Sequence, residues 1–293
     1  MSGKNWTLLL ITAFFVSLVF GGVHIFLSLK IGNSYSPILL NSFIPSITSD
    51  ETVAYAPKVR EVFDGNLLLT DVYLKEHKTL PSPLIGENLP ALIMGLLARI
   101  SGSIPNAFIA ADFIFPSISF IILSLLIFSF SKNLPFSIFV SLVVIFHSKI
   151  MELMPYIPSI IQILIKQPIG GSYSSFLKSF HPQVSFPLFG LFLLLTLFAI
   201  KKNKISLWLI SGILLGLLSY TDIFFSTYAF LITALFLLWS LIKKDFLSTK
   251  RALIILFAGA LISLPYVVNF FLFNQLPQSK SFIENFQYLI IFF

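Results

Sequence analysis

The stretch AFIAADFIFPSISFIILSLLIFSF, residues 107–130, decides the fold. Its one ionisable side chain is Asp112, and everything after it is apolar or hydroxylic. A helix rises 1.5 Å per residue, so about 20 apolar residues cross the hydrocarbon core of a bilayer. This run is long enough, and a soluble protein has nowhere to hide it. Further runs of the same kind lie at Trp6–Leu29, Leu134–Ile150, Gln183–Ile200, Ile205–Tyr220, Ile223–Ile242 and Ala252–Phe273. The expected fold is an all-α polytopic membrane protein with about seven transmembrane helices.

Composition agrees. Hydrophobic residues make up 57% of the chain and charged residues 11%, whereas soluble domains carry roughly 25% charged residues. Mean hydropathy is +0.94. With no cysteine, disulfides, thiol catalysis and cysteine-bound metals are excluded. The four histidines are scattered and give no metal-ligand pair on one helical face. No nucleic-acid reader motif accompanies the net charge of +7, so nucleic acid is not an expected partner.

The positive charge reads as topology. Lys4 precedes the first run, Lys132 joins the second and third, and Lys201, Lys202 and Lys204 join the fourth and fifth. Lys243, Lys244, Lys250 and Arg251 join the sixth and seventh. With alternating spans all these sites share one side, which the positive-inside rule makes cytoplasmic. Trp6, Trp208 and Trp239 stand beside them, where interfacial anchors are expected. The expectation is a plasma or inner membrane location, N-terminus cytoplasmic and first loop exterior.

The chain then divides into a first transmembrane helix (1–30), an exterior loop with interfacial helices (31–106), and the remaining spans with the start of a further apolar segment (107–293). Because it stops at Ile290-Ile-Phe-Phe293 inside a fresh apolar run, it reads as an N-terminal fragment of a longer protein. Other exterior segments are Met151–Pro182, the turn Tyr220–Asp222 and the tail from Asn274. Most acids are exterior: Asp50, Glu51, Glu61, Asp64, Asp71, Glu76 and Glu87 all fall in the first loop.

That loop has a helical pattern. Thr48-Ser-Asp-Glu51 is a capping box, in which the Thr48 hydroxyl and the Glu51 carboxylate satisfy orphan amides. The helix it opens extends to about Phe63, with Val53, Ala56, Val59, Arg60 and Phe63 along one face, and Asp64-Gly65 stops it. A second helix starts near Asn88-Leu-Pro90 and ends at Gly102. Its Leu89, Leu92, Ile93, Leu96, Leu97 and Ile100 recur at helical spacing, and its length suits the membrane surface rather than a crossing. Leu80-Pro-Ser-Pro83 between the two is expected to be extended.

On these residues the chain resembles the GT-C superfamily of polytopic glycosyltransferases, in particular the protein O-mannosyltransferases and the aminoarabinose transferase. The likeness rests on the acidic pair Asp50-Glu51 early in the first exterior loop, then Tyr55, Arg60 and Gly65 on and after a short helix, then Leu80–Pro83. It is strongest over the N-terminal half; His181-Pro-Gln183 and Tyr220-Thr-Asp222 extend it. The resemblance implies a GT-C-like helical bundle and an inverting transfer of a sugar from a polyprenyl-phosphate donor. The acceptor is a glycan, lipid or protein at the outer face, within membrane lipid. It implies catalytic roles for Asp50 and Glu51, with Asp50 the leading base: a carboxylate can take the proton of a hydroxyl acceptor in the transition state. The leaving lipid phosphate needs a cation, either a divalent metal (Mg or Mn, with Asp50 and Glu152 as ligands) or a side chain. Arg60, Lys149, Lys166 and Lys178 are the exterior cations considered. Tyr55, Arg60, Asp112, Lys178, His181, Gln183 and Asp222 complete the candidate substrate-binding set.

Blander roles compete for each. Acids at a helix start complement the helix dipole. Arg60 has Asp64 at i+4. Glu152 has His147 and Lys149 nearby for a local ion pair. Asp222 sits in a turn, where aspartate is common. Asp112 is different, because an acid inside a span is costly and points to function. The alternative function is a transporter or flippase for a lipid-linked or small polar substrate, which would place polar groups at mid-depth. A non-catalytic scaffold or receptor has no specific residue behind it. Gly212 and Gly216 are spaced for close helix contact.

Overall fold

In a computed structural model the described residues are 3–32, 55–72, 78, 80–153, 183–202, 204–277 and 279. They are mostly helical, without strands. In chain order they form α1 (Gly3–Ile31), α2 (Ala56–Phe63), a 3₁₀ turn (Pro83–Glu87), α3 (Asn88–Ser101), α4 (Ile104–Ser131), α5 (Leu134–Leu153), α6 (Ser185–Lys202), α7 (Ile205–Leu218), α8 (Ile223–Ile242) and α9 (Phe246–Asn274). Five of these, α1, α4, α6, α8 and α9, are long and apolar enough to cross a membrane. Leu134–His147 of α5 and all of α7 are apolar but shorter. Phe14, Phe26, Phe257 and Phe271 stand exposed on the outer faces of their helices, and helices apolar all round belong in lipid. The chain is a multi-pass helical membrane protein.

Local chemistry sets the helix ends. Ser103 caps α4 by accepting from the Asn106 amide at 3.3 Å, and Pro105 occupies the first turn, where no amide partner is needed. α3 closes on Gly102 at φ +83°, a left-handed conformation that suits glycine. α9 starts at Phe246, earlier than the expected Ala252, because Asp245 caps it through the Ser248 amide at 3.1 Å. Pro265 interrupts the α9 ladder, and Tyr220 repairs it. The Tyr266 amide donates to the Tyr220 hydroxyl at 3.2 Å, and that hydroxyl donates to the Ile262 carbonyl at 3.0 Å. A side chain inserted at a proline accommodates the broken hydrogen bond.

α4 lies at the centre and packs on α1, α3, α5 and α6. Beyond it α6 packs on α7, and α7 on α9. The apolar core has three parts. Tyr55, Val59, Val62, Met94, Ala98, Phe108, Ala111 and Val184 join α2 and α3 to the first half of α4. Leu9, Val16, Phe20, Phe120 and Ile145 join α1, α4 and α5. Phe192, Trp208, Leu215, Ala229 and Ile255 join the remaining helices.

Four expectations need correction. On α2 the buried face is Val59 and Val62 with Lys58 and Tyr55, while Arg60 is exposed. On α3 the protein-facing side chains are Ala91, Met94, Gly95 and Ala98, whereas Leu96 and Ile100 are exposed. In lipid, small residues let helices approach and large apolar ones can face outward. Trp208, expected as an interfacial anchor, is buried with the Arg251 guanidinium over its ring at 5.3 Å; Trp6 and Trp239 are exposed. The Leu80–Pro83 stretch turns into the 3₁₀ segment at Pro83 instead of remaining extended throughout.

Candidate functional site

The described part of the loop between α1 and α4, from Tyr55 onward, folds back onto one end of the bundle. The Leu89 amide donates to the Tyr220 carbonyl at 2.9 Å in the α7–α8 turn. The Asn269 side-chain amide of α9 donates to the Ser82 carbonyl at 2.7 Å. Asn88 accepts from the Leu69 amide at 2.8 Å, and Arg99 donates to the Val62 and Phe63 carbonyls at the end of α2. These contacts put the loop at the same end as the α7–α8 turn. Lysines gather elsewhere: both Lys132 and Lys201 donate to the Ser129 carbonyl near the end of α4.

Under the loop lies a polar cluster made by three segments of sequence. Gly21 lets α1 close on α4, since a Cβ there would meet the Phe113 ring at 2.3 Å. The Ser17 hydroxyl adds a hydrogen bond to the Phe113 carbonyl at 2.7 Å. One turn after Gly21, His24 Nε2 comes within 2.5 Å of Asp112 Oδ2. From the chain just before α6, Gln183 Nε2 donates to Asp112 Oδ1, also at 2.5 Å. All three side chains are buried, with Gln183 at 0%, His24 at 5% and Asp112 at 7% exposure. Gln183 Oε1 is buried and has no partner among the described residues, as is Ser119 Oγ two turns further along α4.

A second polar group sits in the loop. Lys58 is buried and forms an ion pair with Glu87, and its ammonium lies 5.6 Å from the centre of the Tyr55 ring. Tyr55 shares its apolar cluster with Ala107, Phe108, Ala111 and Val184. Ala111 and Val184 are the chain neighbours of Asp112 and Gln183.

Of the sequence candidates, Asp112 and Gln183 touch, and Tyr55 packs on their neighbours. Arg60 is not part of the group; it is exposed and pairs with Asp64 at 2.7 Å, the bland reading for an i,i+4 pair. Asp222 caps α8 through the Phe224 amide at 2.7 Å. Asp50, Glu51, Lys178 and His181 lie outside the described residues. Glu152 belongs to α5, and its side chain is not described. For a divalent metal, no three His, Asp or Glu side chains come together among the described residues; the nominated ligands Asp50 and Glu152 are not among the described side chains.

Sequence reading missed His24, Lys58 and Glu87. A signal for His24 was present, because an ionisable side chain inside a span is a functional candidate by default. Nothing in the spacing of His24 and Asp112 could pair them. Lys58 and Glu87 looked like ordinary loop charges until the loop closed. No protein-family model matches the chain, and comparison with curated proteins and with solved structures likewise yields no match.

Proposed function

We propose that this chain is a GT-C-type integral membrane glycosyltransferase with about seven spans. In this reading it moves a sugar, with inversion, from a polyprenyl-phosphate donor to a hydroxyl acceptor at the exterior face. The observation behind the reading is the first loop, folded back as helices over a buried polar cluster at the end away from Lys132 and Lys201. A lipid-borne donor presents its sugar at that depth, where membrane meets water.

The chemistry follows from charge. As the acceptor oxygen attacks the anomeric carbon, a carboxylate removes its proton; Asp50 is the proposed base, with Glu51 beside it. The bond from the anomeric carbon to the phosphate oxygen breaks and the lipid phosphate leaves with the electron pair. A fixed cation stabilises that charge best in a dry site. Lys58 is buried beside Tyr55, where Arg60 is exposed, but it is neutralised by Glu87 and would serve by exchanging that carboxylate for the phosphate.

The test uses the purified chain in bilayers with a panel of polyprenyl-phosphate sugars and hydroxyl acceptors. Asp50→Asn should lower transfer by about 10²–10⁴-fold, the usual contribution of a positioned base, while membrane insertion is unchanged. Full activity in that variant removes Asp50 as base. The His24–Asp112–Gln183 cluster favours a second reading, a transporter or flippase, because ionisable groups inside spans mark substrate and proton pathways. Substrate flux into proteoliposomes with no sugar transfer would establish that reading instead.

A further inference from the structure

The end of the bundle opposite the folded loop carries positive charge in excess, and two of its cations meet from different helices. Lys132 follows α4, and Lys201 lies in the last turn of α6. Both ammonium groups donate to the Ser129 carbonyl, at 2.5 Å and 3.3 Å. Both residues are exposed, and among the described residues neither pairs with a carboxylate. The acid described at this end is Asp245, whose carboxyl is taken up by the Ser248 amide and hydroxyl. The elements that carry the pair, α4 with its turn into α5, and α6, are described over the whole of this end.

One carbonyl does not account for two cations. The end of a helix presents roughly half an elementary negative charge, and a single lysine satisfies it. Two ammonium groups on the same oxygen repel each other, and an anion between them turns that repulsion into attraction. Each ammonium has three donors and uses one on Ser129, so both can also reach a shared phosphate.

The backbone gives a second sign. Lys132 closes α4 at φ +57°, in the left-handed region where a Cβ is penalised and glycine is the usual residue. Gly102 closes α3 in that way. At Lys132 the chain accepts the strain and keeps a long cationic side chain. Lys244 in the α8–α9 turn has a similar backbone, at φ +55°, but among the described residues it shares no acceptor with a second cation.

The flank of the pair is apolar. Phe130, close to Lys132, is 70% exposed, and Phe198, one turn before Lys201, is 37% exposed. Cations at the ends of two spans, with lipid-facing aromatics just below them, match a phospholipid in both halves. We propose that Lys132 and Lys201 bind the phosphate of an anionic phospholipid whose acyl chains lie along Phe130 and Phe198. A lipid fits better than a free anion, because the apolar flank anchors it and its phosphate already sits at this depth. An anionic headgroup fits better than a zwitterionic one, which would bring a further cation to a site flanked by the exposed Lys202 and Lys204. The site stands whether or not the opposite end transfers sugar.

The test titrates phosphatidylglycerol or phosphatidylcholine into the full chain in detergent, with native mass spectrometry reading bound lipid. The wild type should bind phosphatidylglycerol the more tightly. A lysine near a lipid phosphate contributes about fivefold in affinity. Lys201→Gln should therefore weaken phosphatidylglycerol binding about fivefold, and Lys132→Gly/Lys201→Gln about 30-fold, with phosphatidylcholine unaffected. Lys132→Gly also relieves the left-handed strain, so the unfolding midpoint should not fall. The matched variant Lys243→Gln/Lys244→Gly removes the same charge from the α8–α9 turn and should keep wild-type affinity. Equal losses from the two double variants would mean diffuse surface charge and overturn the site. Unchanged affinity in Lys132→Gly/Lys201→Gln, or displacement of the lipid by inorganic phosphate alone, would overturn it as well.

Discussion

Two helix junctions in this bundle both close on glycine and differ in the side chains they bring together. At α7–α9 glycines do the work: a Cβ on Gly216 would meet the Gly259 carbonyl oxygen at 2.6 Å, and one on Gly212 would meet the Ile255 carbonyl oxygen at 2.8 Å. At α1–α4 the backbones also close on a glycine, Gly21, but the contact carries Ser17, His24 and Asp112, and Gln183 joins from α6. Small residues alone hold two helices together in lipid, where van der Waals packing replaces the hydrophobic effect. Around Gly212 and Gly216 the α7–α9 contact is made by apolar side chains and backbone, with the Arg251 guanidinium of α9 lying apart from them over Trp208 of α7. The ionisable pair at α1–α4 is therefore not needed for packing, and its cost points to a functional role.

The comparison breaks most visibly at the polar junction. Asp112→Ala leaves His24 buried without its acid, and removing one partner of a buried pair costs about 3–5 kcal/mol. SDS unfolding of the purified chain should show that loss, and an unchanged midpoint would mean that the pair is already hydrated. At the apolar junction Gly216→Leu sets a side chain against backbone that cannot yield. Overpacking of this kind costs about 1–3 kcal/mol; the same unfolding curve reads it, and a neutral result would show that α7 and α9 can separate freely. Tyr220→Phe sharpens the contrast, because it removes one hydroxyl from beside the glycine-packed pair. The Tyr266 amide and Ile262 carbonyl then lose their bridge, at a cost of about 1–2 kcal/mol. Hydrogen exchange at the Tyr266 amide should quicken, and unaltered protection would refute the bridge.

The smallest effect lies at the start of α9. Hydrogen bonds from the Ser248 hydroxyl and amide hold the Asp245 carboxyl below the usual carboxylate range. A depressed acid contributes stability above its ordinary titration range, and that contribution is lost as pH falls through the lowered value. Ser248→Ala should raise the pH at which the first turn of α9 frays, read by exchange at its amides; coincident acid profiles for the two proteins would contradict this. The effect is small because the carboxylate is exposed to solvent.

Asp112 and Gln183 were both legible as candidates from sequence, and Asp112 carried a physical reason of its own. Their meeting was not legible, since it depends on α6 lying alongside α4. The apolar stripe of α3 illustrates the other limit. Leu96 and Ile100 announce a helix with an oily side, but in lipid an oily side can face outward, and Ala91, Gly95 and Ala98 proved to be the packed one.

The sequence by itself determined a helical membrane protein, because backbone amides in hydrocarbon must be satisfied within each segment and long apolar runs leave only helices. It also set where several helices end, through Ser103, Gly102 and Asp222, since caps are local chemistry. Only the tertiary structure decided which faces meet. Apolar periodicity distinguishes inside from outside when water is the solvent; in lipid both faces are apolar. The choice among them then rests on shape, on glycines such as Gly21 and Gly216, and on polar side chains that find partners only once distant helices have come together.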